Sequence, residues 1–384
     1  MKKIGLLGRI IIAIALAAAL GTFMPVFIVR LFATFNSIFG QFIGFAVPLI
    51  IIAFIAPGIA ELGKGAGRLL GISTLLAYIS TIVAGFLAYF AASTFLPRFF
   101  EGTNEKVAEP GEGLVTAFFD FGIEPLMGVM TALVFAFVIG IGMAAIKGDV
   151  MQRGFNELKE IVEKIISVVI IPLLPIHIFG IFLNMTYAGE VARILSIFAV
   201  VFVLIILLHW LMLSAQYTVA GVMTKRNPLL LLKTMLPAYF TAIGTQSSAA
   251  AIPVTLQQAK EAGASDKVAG FTVPLFATIH LSGSMITLVT CSIGVLMMND
   301  LPITLGVYTQ FIFMLAVTMI AAPGVPGGAV MAALGVLGSI LGFDETILAL
   351  MMALYLAQDS FGTATNVTGD GALTLIVDRI AKKA

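Results

Sequence analysis

Two long apolar stretches of this chain are broken at their middles, and those breaks limit the possible folds more than any other feature. One stretch covers 230–259 and is interrupted by GTQSSAAAIP; the other covers 304–341 and is interrupted by AAPGVPGG. Ser, Gly and Pro at mid-segment free backbone N–H and C=O groups that lipid cannot satisfy. Such breaks persist in a bilayer only where protein or a polar cavity covers them. Each stretch is therefore expected to enter and leave the membrane on one side, as a re-entrant helical hairpin with its tip near the midplane. A kinked spanning helix is the competing reading.

Composition identifies the bilayer as the solvent. The 384 residues are 60% hydrophobic and only 11% charged, with a mean hydropathy of +1.10; soluble domains carry about 25% charged residues. Eight further apolar segments read as spanning helices, at about 4–31, 38–62, 69–96, 114–145, 161–186, 192–222, 271–298 and 346–380. The first begins like a signal peptide. Its apolar run is too long for one and has no clear cleavage site, so it is expected to span. With both termini cytoplasmic and both hairpins re-entrant, only Arg30, Arg98, Lys106 and Arg193 of the 21 Lys and Arg fall outside. That asymmetry is what the positive-inside rule requires, and it fails if either hairpin crosses fully. The one linker-like loop, 101–113, falls outside. The expected fold is an all-α integral membrane protein of the cell membrane, with eight transmembrane helices and two re-entrant hairpins.

Several function classes drop out. A net charge of +1 argues against nucleic acid. The single cysteine, Cys291, permits no disulfide within the chain, and the three histidines are far apart. No nucleophile–base pair or metal set marks an intramembrane enzyme. His177 and His209 read as satisfied structural histidines. Asp120 and Glu124, four apart in the fourth segment, read as solvated or gate-lining.

What remains is a polar stripe. QDSFGTATNVTGD, residues 358–370, lies inside the last apolar run. On a helix Asp359, Thr363, Asn366 and Asp370 share one face. Ionisable groups at membrane depth normally face a protein-lined path for substrate or ion. The last third also repeats: a broken hairpin precedes a polar-spiked helix, twice. By the topology above the two units enter from opposite sides, and paired interrupted segments of this kind point to a transporter's binding site.

Four motifs converge here: TQSSAAAIPVT (245–255), VPLFATIHLSGS (273–284), PGVPGG (323–328) and QDSFGTATNVTGD. Their order and spacing resemble the dicarboxylate/amino acid:cation symporter family, over nearly the whole chain and most specifically from Thr245 onward. The resemblance implies an elevator-type transporter fold with inverted repeats, a homotrimer, and two hairpin tips that close over a small amino acid. It puts Gln246, Ser247 and Ser248 in the first tip and Gly324, Val325 and Pro326 in the second. It assigns Asp359 to the substrate ammonium, and Thr363, Asn366 and Ser284 to the substrate. Na⁺ falls to Phe276, His280, Asn366 and Asp370, with further ion sites among Thr278, Ser80, Thr81 and Ser282. Oxygen-only ligands suit such a hard cation. The implied scaffold is 1–68 and 114–191; the implied transport unit is 69–113 and 192–384.

Two departures refine that reading. Gly362 stands where members that carry acidic substrates place an arginine fork, and none of the four motifs contains arginine. A buried substrate carboxylate without a cation is costly, so a small neutral L-amino acid resembling serine, threonine or alanine is expected. Many members read NMDGT where this chain reads His280-Leu281-Ser282-Gly283-Ser284. Either His280 is a neutral ring bonded to Asp370 or Ser80, or it carries a proton and couples transport to H⁺. Acidic-substrate transport and an ion channel are the remaining alternatives.

Overall fold

The computed structural model describes residues 6–63, 68–100, 114–189, 191–299, 301–319, 322 and 327–382. All regular structure among them is helical: α1 (Leu6–Leu20), α2 (Val26–Gly63), α3 (Arg68–Phe95), α4 (Pro97–Phe100), α5 (Val129–Ala145), α6 (Val150–Ile165), α7 (Ile171–Tyr187), α8 (Val191–Thr224), α9 (Pro228–Thr245), α10 (Ser248–Glu261), α11 (Asp266–Ile279), α12 (Ser282–Met298), α13 (Leu305–Met319), α14 (Gly328–Leu341) and α15 (Glu345–Ala381). A π-helical turn, Ile166–Ile170, joins α6 to α7 in one rod. Six stretches are long and apolar enough to cross a bilayer: Val26–Ala60, Leu69–Phe99, Val150–Tyr187, Leu195–Thr224, Asp266–Met298 and Glu345–Ala381. The apolar side chains left exposed on α1, α3, α5 and α8, such as Ile11, Ile79, Val134 and Leu207, fit a lipid surround.

Several expected boundaries move. The segment expected at 4–31 is α1, which stops at Leu20, and α2 already starts at Val26. Residues 114–128 form no helix, so α5 is only the later part of the fourth segment. Asp120 and Glu124 therefore share no helical face, and the Asp120 carboxylate instead accepts the Gly122 N–H at 3.0 Å. The loop at 101–113 lies outside the described residues.

Two groups of helices pack side by side. The first comprises α1, α2, α5, α6 and α7. In the second, α15 packs against α8, α9, α10, α11, α12 and α3. Its residues from Ala349 to Asp378 are nearly all buried, which explains why so polar a segment holds as one helix: its polar side chains bond within protein rather than facing lipid. The Asp344 carboxylate caps its start, accepting the Ile347 N–H at 2.8 Å. Ser265 donates to Asp378 near its end.

At each broken stretch the chain folds back on itself. α9 and α10 pack together about Gln246 and Ser247, and α13 packs against α14. Gln246 ends α9 in the left-handed region at φ 54°, which few residues other than glycine occupy. Ser247 is in extended conformation and caps α10, its hydroxyl accepting the Ala250 N–H at 3.3 Å. Gly324, Val325 and Pro326 of the other turn lie outside the described residues.

Candidate functional site

The segment expected as a single span at 271–298 is two helices. α11 stops at Ile279, His280 is extended, and α12 starts at Ser282. The break leaves carbonyls at the end of α11 and N–H groups at the start of α12 without helical partners. Side chains of α15 fill part of this gap. Asn366 Oδ1 accepts the Gly283 N–H at 2.7 Å and the Ser284 N–H at 3.3 Å, and its Nδ2 donates to the Ser284 hydroxyl at 2.9 Å. Asp370 Oδ1 lies within hydrogen-bond distance of His280 Nδ1, at 2.8 Å. α12 approaches closely enough that a Cβ on Gly283 would stand 2.4 Å from the Gly362 carbonyl oxygen.

Asp359 sits one stretch higher on α15 and is 5% exposed. Its Oδ2 accepts the Gly327 N–H at 2.7 Å. Gly327 is the N-cap of α14, with φ +75°, a conformation that suits glycine. This carboxylate therefore meets a helix N-terminus at the inner end of the second broken stretch, where both the N–H and the helix dipole favour an anion. Tyr355, one turn earlier, faces Asp359 and the Ser284 hydroxyl.

A second cluster surrounds His280. The Ser80 hydroxyl of α3 is 3.0 Å from His280 Nε2, and Gln216 of α8 donates from Nε2 to Ser80 Oγ at 3.0 Å and to Ser282 Oγ at 3.4 Å. Phe276 is buried against the His280 ring, and its carbonyl accepts the His280 N–H. Thr363 is buried, whereas Gln246, Ser247 and Ser248 are half-buried at their turn. Ala251, just beyond that turn, belongs to one buried apolar cluster with Ala364 and Val367 of α15.

Not every expected residue joins. Thr278 is exposed and donates back to the Leu275 carbonyl at 2.7 Å. Thr81 is buried, but its hydroxyl bonds neither His280 nor Ser282. Val325 is outside the described residues. His177 accepts from the Asn36 amide at 3.0 Å, and His209 donates to the Gly283 carbonyl at 3.0 Å, so both are held by the surrounding protein. Sequence reading missed Gln216, Tyr217 and the α11–α12 break. The SGS run after Leu281 is the signal for that break, since serine and glycine favour helix starts. Gln216 and Tyr217 stand together in an apolar helix, and Tyr217 donates to the Thr368 carbonyl at 2.6 Å.

The site has the elements a hard cation needs: a buried carboxylate, Asp370, beside a helix break that turns carbonyls away from helical bonding. Among the described residues no group of three or more His, Cys, Asp or Glu could hold a metal.

Comparison with known proteins identifies the family of the chain. The profile of the sodium:dicarboxylate symporter family matches residues 6–380. A serine/threonine transporter of Acinetobacter baumannii (strain AYE) is 25% identical over 402 aligned positions, covering 98% of this chain and 97% of the relative. Excitatory amino acid transporter 3 of Oryctolagus cuniculus is 26% identical over 272, covering 70% of this chain and 51% of the relative. Excitatory amino acid transporter 1 of Rattus norvegicus is 27% identical over 266, covering 68% and 48%.

Proposed function

The chain belongs to the sodium:dicarboxylate symporter family, and from that premise we propose that it is a secondary-active symporter coupling Na⁺ entry to uptake of a small neutral L-amino acid. The transporters that make up the family support transport rather than catalysis. The substrate class is our inference. It rests on one observation: Asp359 is a buried carboxylate at a helix N-terminus, and no arginine accompanies it in any of the four motifs. Gly362, where a fork would sit, is packed at the α12–α15 crossing, with Ser284 N and Thr287 Oγ1 within 3.6 Å of where its Cβ would be. One fixed negative charge suits the ammonium of an amino acid and leaves nothing to pair with a second carboxylate. The full-length relatives named as serine/threonine transporters support the same choice.

In this reading Asp359 takes the ammonium, while Thr363, Asn366, Ser284 and the turn at Gln246, Ser247 and Ser248 face the rest of the substrate. Asp370 and the carbonyl oxygens of Phe276, His280 and Asn366 take Na⁺, the co-transported ion. The helices α1, α2, α5, α6 and α7 form a fixed scaffold, and α3 with α8 to α15 form a unit that carries substrate across as an elevator. The observed packing supports that division for α3, α8 to α12 and α15. We further propose eight spans, two re-entrant hairpins related as an inverted repeat, a homotrimer, and a cell membrane location with both termini cytoplasmic.

Uptake of a panel of labelled amino acids into proteoliposomes tests this, with Na⁺ and pH gradients imposed separately. Serine, threonine or alanine should accumulate on a Na⁺ gradient at constant pH and should outcompete aspartate. Uptake that ignores Na⁺ and follows an inward proton gradient replaces Na⁺ with H⁺. Preference for aspartate overturns the substrate class.

A further inference from the structure

Gln216 is a buried amide of α8, 6% exposed, and the proposed division of labour gives it no part. Its Nε2 reaches the Ser80 hydroxyl at 3.0 Å and lies 3.4 Å from His280 Nε2. An amide NH₂ only donates, so Ser80 Oγ accepts from it. That leaves the serine proton free to point onward to His280 Nε2, 3.0 Å away. A ring nitrogen that accepts carries no proton, which leaves the proton on Nδ1, and Nδ1 is 2.8 Å from Asp370 Oδ1. The far end gives the same direction. An ionised carboxylate only accepts, so it too requires a proton on Nδ1. With these two ends, a single direction of donation from Gln216 to Asp370 satisfies every bond in the chain.

The relay lies directly on the backbone of α15. A Cβ on Gly369 would stand 2.7 Å from Gln216 Oε1 and 2.9 Å from His280 Cε1. Glycine next to Asp370 thus admits the amide and the ring together.

We propose that Gln216 is a positioning residue for cation binding: through Ser80 it fixes His280 as the neutral Nδ1–H tautomer, and that ring holds one oxygen of Asp370 in place. The inference rests on the Na⁺ reading given above. Outer partners that fix the tautomer and orientation of a histidine tune metal sites by roughly 10–100-fold in affinity. Here the ring acts one step further out, on the carboxylate itself.

The test uses the full-length protein in nanodiscs with ring-labelled histidine. Nitrogen NMR, with His280→Asn identifying the His280 signal, should place the wild-type proton on Nδ1. In Gln216→Leu both tautomers should appear, and binding of radiolabelled Na⁺ without substrate should weaken roughly tenfold. In a His280→Asn background Gln216→Leu should cause no further loss, because an asparagine has no tautomer to set. A wild-type proton on Nε2 overturns the proposal without recourse to any variant. So does an unchanged tautomer and Na⁺ affinity in Gln216→Leu, or an equal loss in the His280→Asn background, which would mark Gln216 as helix packing only. If the wild type binds no Na⁺ at all, the coupling ion is wrong, and the tautomer measurement still decides the relay.

Discussion

Asp359 and Asp370 lie on one face of one helix, both buried, yet they are held in different ways. Asp359 meets a backbone N–H at the end of a broken hairpin, Gly327. Asp370 meets a side chain that is itself braced by Ser80 and Gln216 from two other helices. A single N–H at a helix start can be joined or displaced by a ligand's ammonium when a hairpin moves. A braced ring cannot be displaced without repacking several helices. Under the proposed function the contrast assigns the two ligands: the carboxylate held by one backbone N–H goes to the substrate, and the carboxylate held by a braced side chain goes to the ion.

The strongest way to break this comparison is Asp359→Asn. The amide oxygen can still accept the Gly327 N–H, so the fold should hold, but the ammonium loses its charge partner. Breaking one side of a desolvated pair costs about 3–5 kcal/mol, and calorimetric titration of serine or threonine should show no saturable binding. Wild-type affinity in this variant would remove Asp359 from the substrate site.

A smaller effect, read as stability, sharpens the geometry between the two carboxylates. Gly283→Ala places a methyl against the Gly362 carbonyl, 2.4 Å from its oxygen. Overpacking of this kind costs about 1–3 kcal/mol, so the thermal unfolding midpoint should fall. An unchanged midpoint would mean that α12 and α15 are free to separate there.

Smallest of the three should be His280→Asn. An asparagine amide can donate to Asp370 as the ring does, so Na⁺-driven uptake should fall only modestly in proteoliposomes. Complete loss of uptake would show that the ring does more than donate one hydrogen bond.

Much of this arrangement was legible in the sequence, for physical reasons. The polar face of α15 follows from residue spacing, because a continuous helix fixes which side chains align. The turn at Gln246 and Ser247 follows from mid-segment Ser and Gly, which a bilayer does not tolerate in an unpaired backbone. Other features were hidden. The break at His280 lies in a run apolar enough to read as one span, and what stabilises it is Asn366, more than 80 residues away in sequence. Gln216 carries no local signal, since its partners come from α3 and from the α11–α12 break. Likewise the irregular stretch 114–128 is apolar in composition, and its backbone is satisfied by distant side chains: Asn184 for Val115 and Thr34 for Phe118. Pairings at long range leave no periodic trace.

The division between the two carboxylates is tested most directly by binding of radiolabelled Na⁺, without substrate, to purified wild-type, Asp359→Asn and Asp370→Asn protein. Saturable Na⁺ binding should survive in Asp359→Asn at near wild-type affinity and disappear in Asp370→Asn. Loss of Na⁺ binding in Asp359→Asn, with retention in Asp370→Asn, would contradict the account.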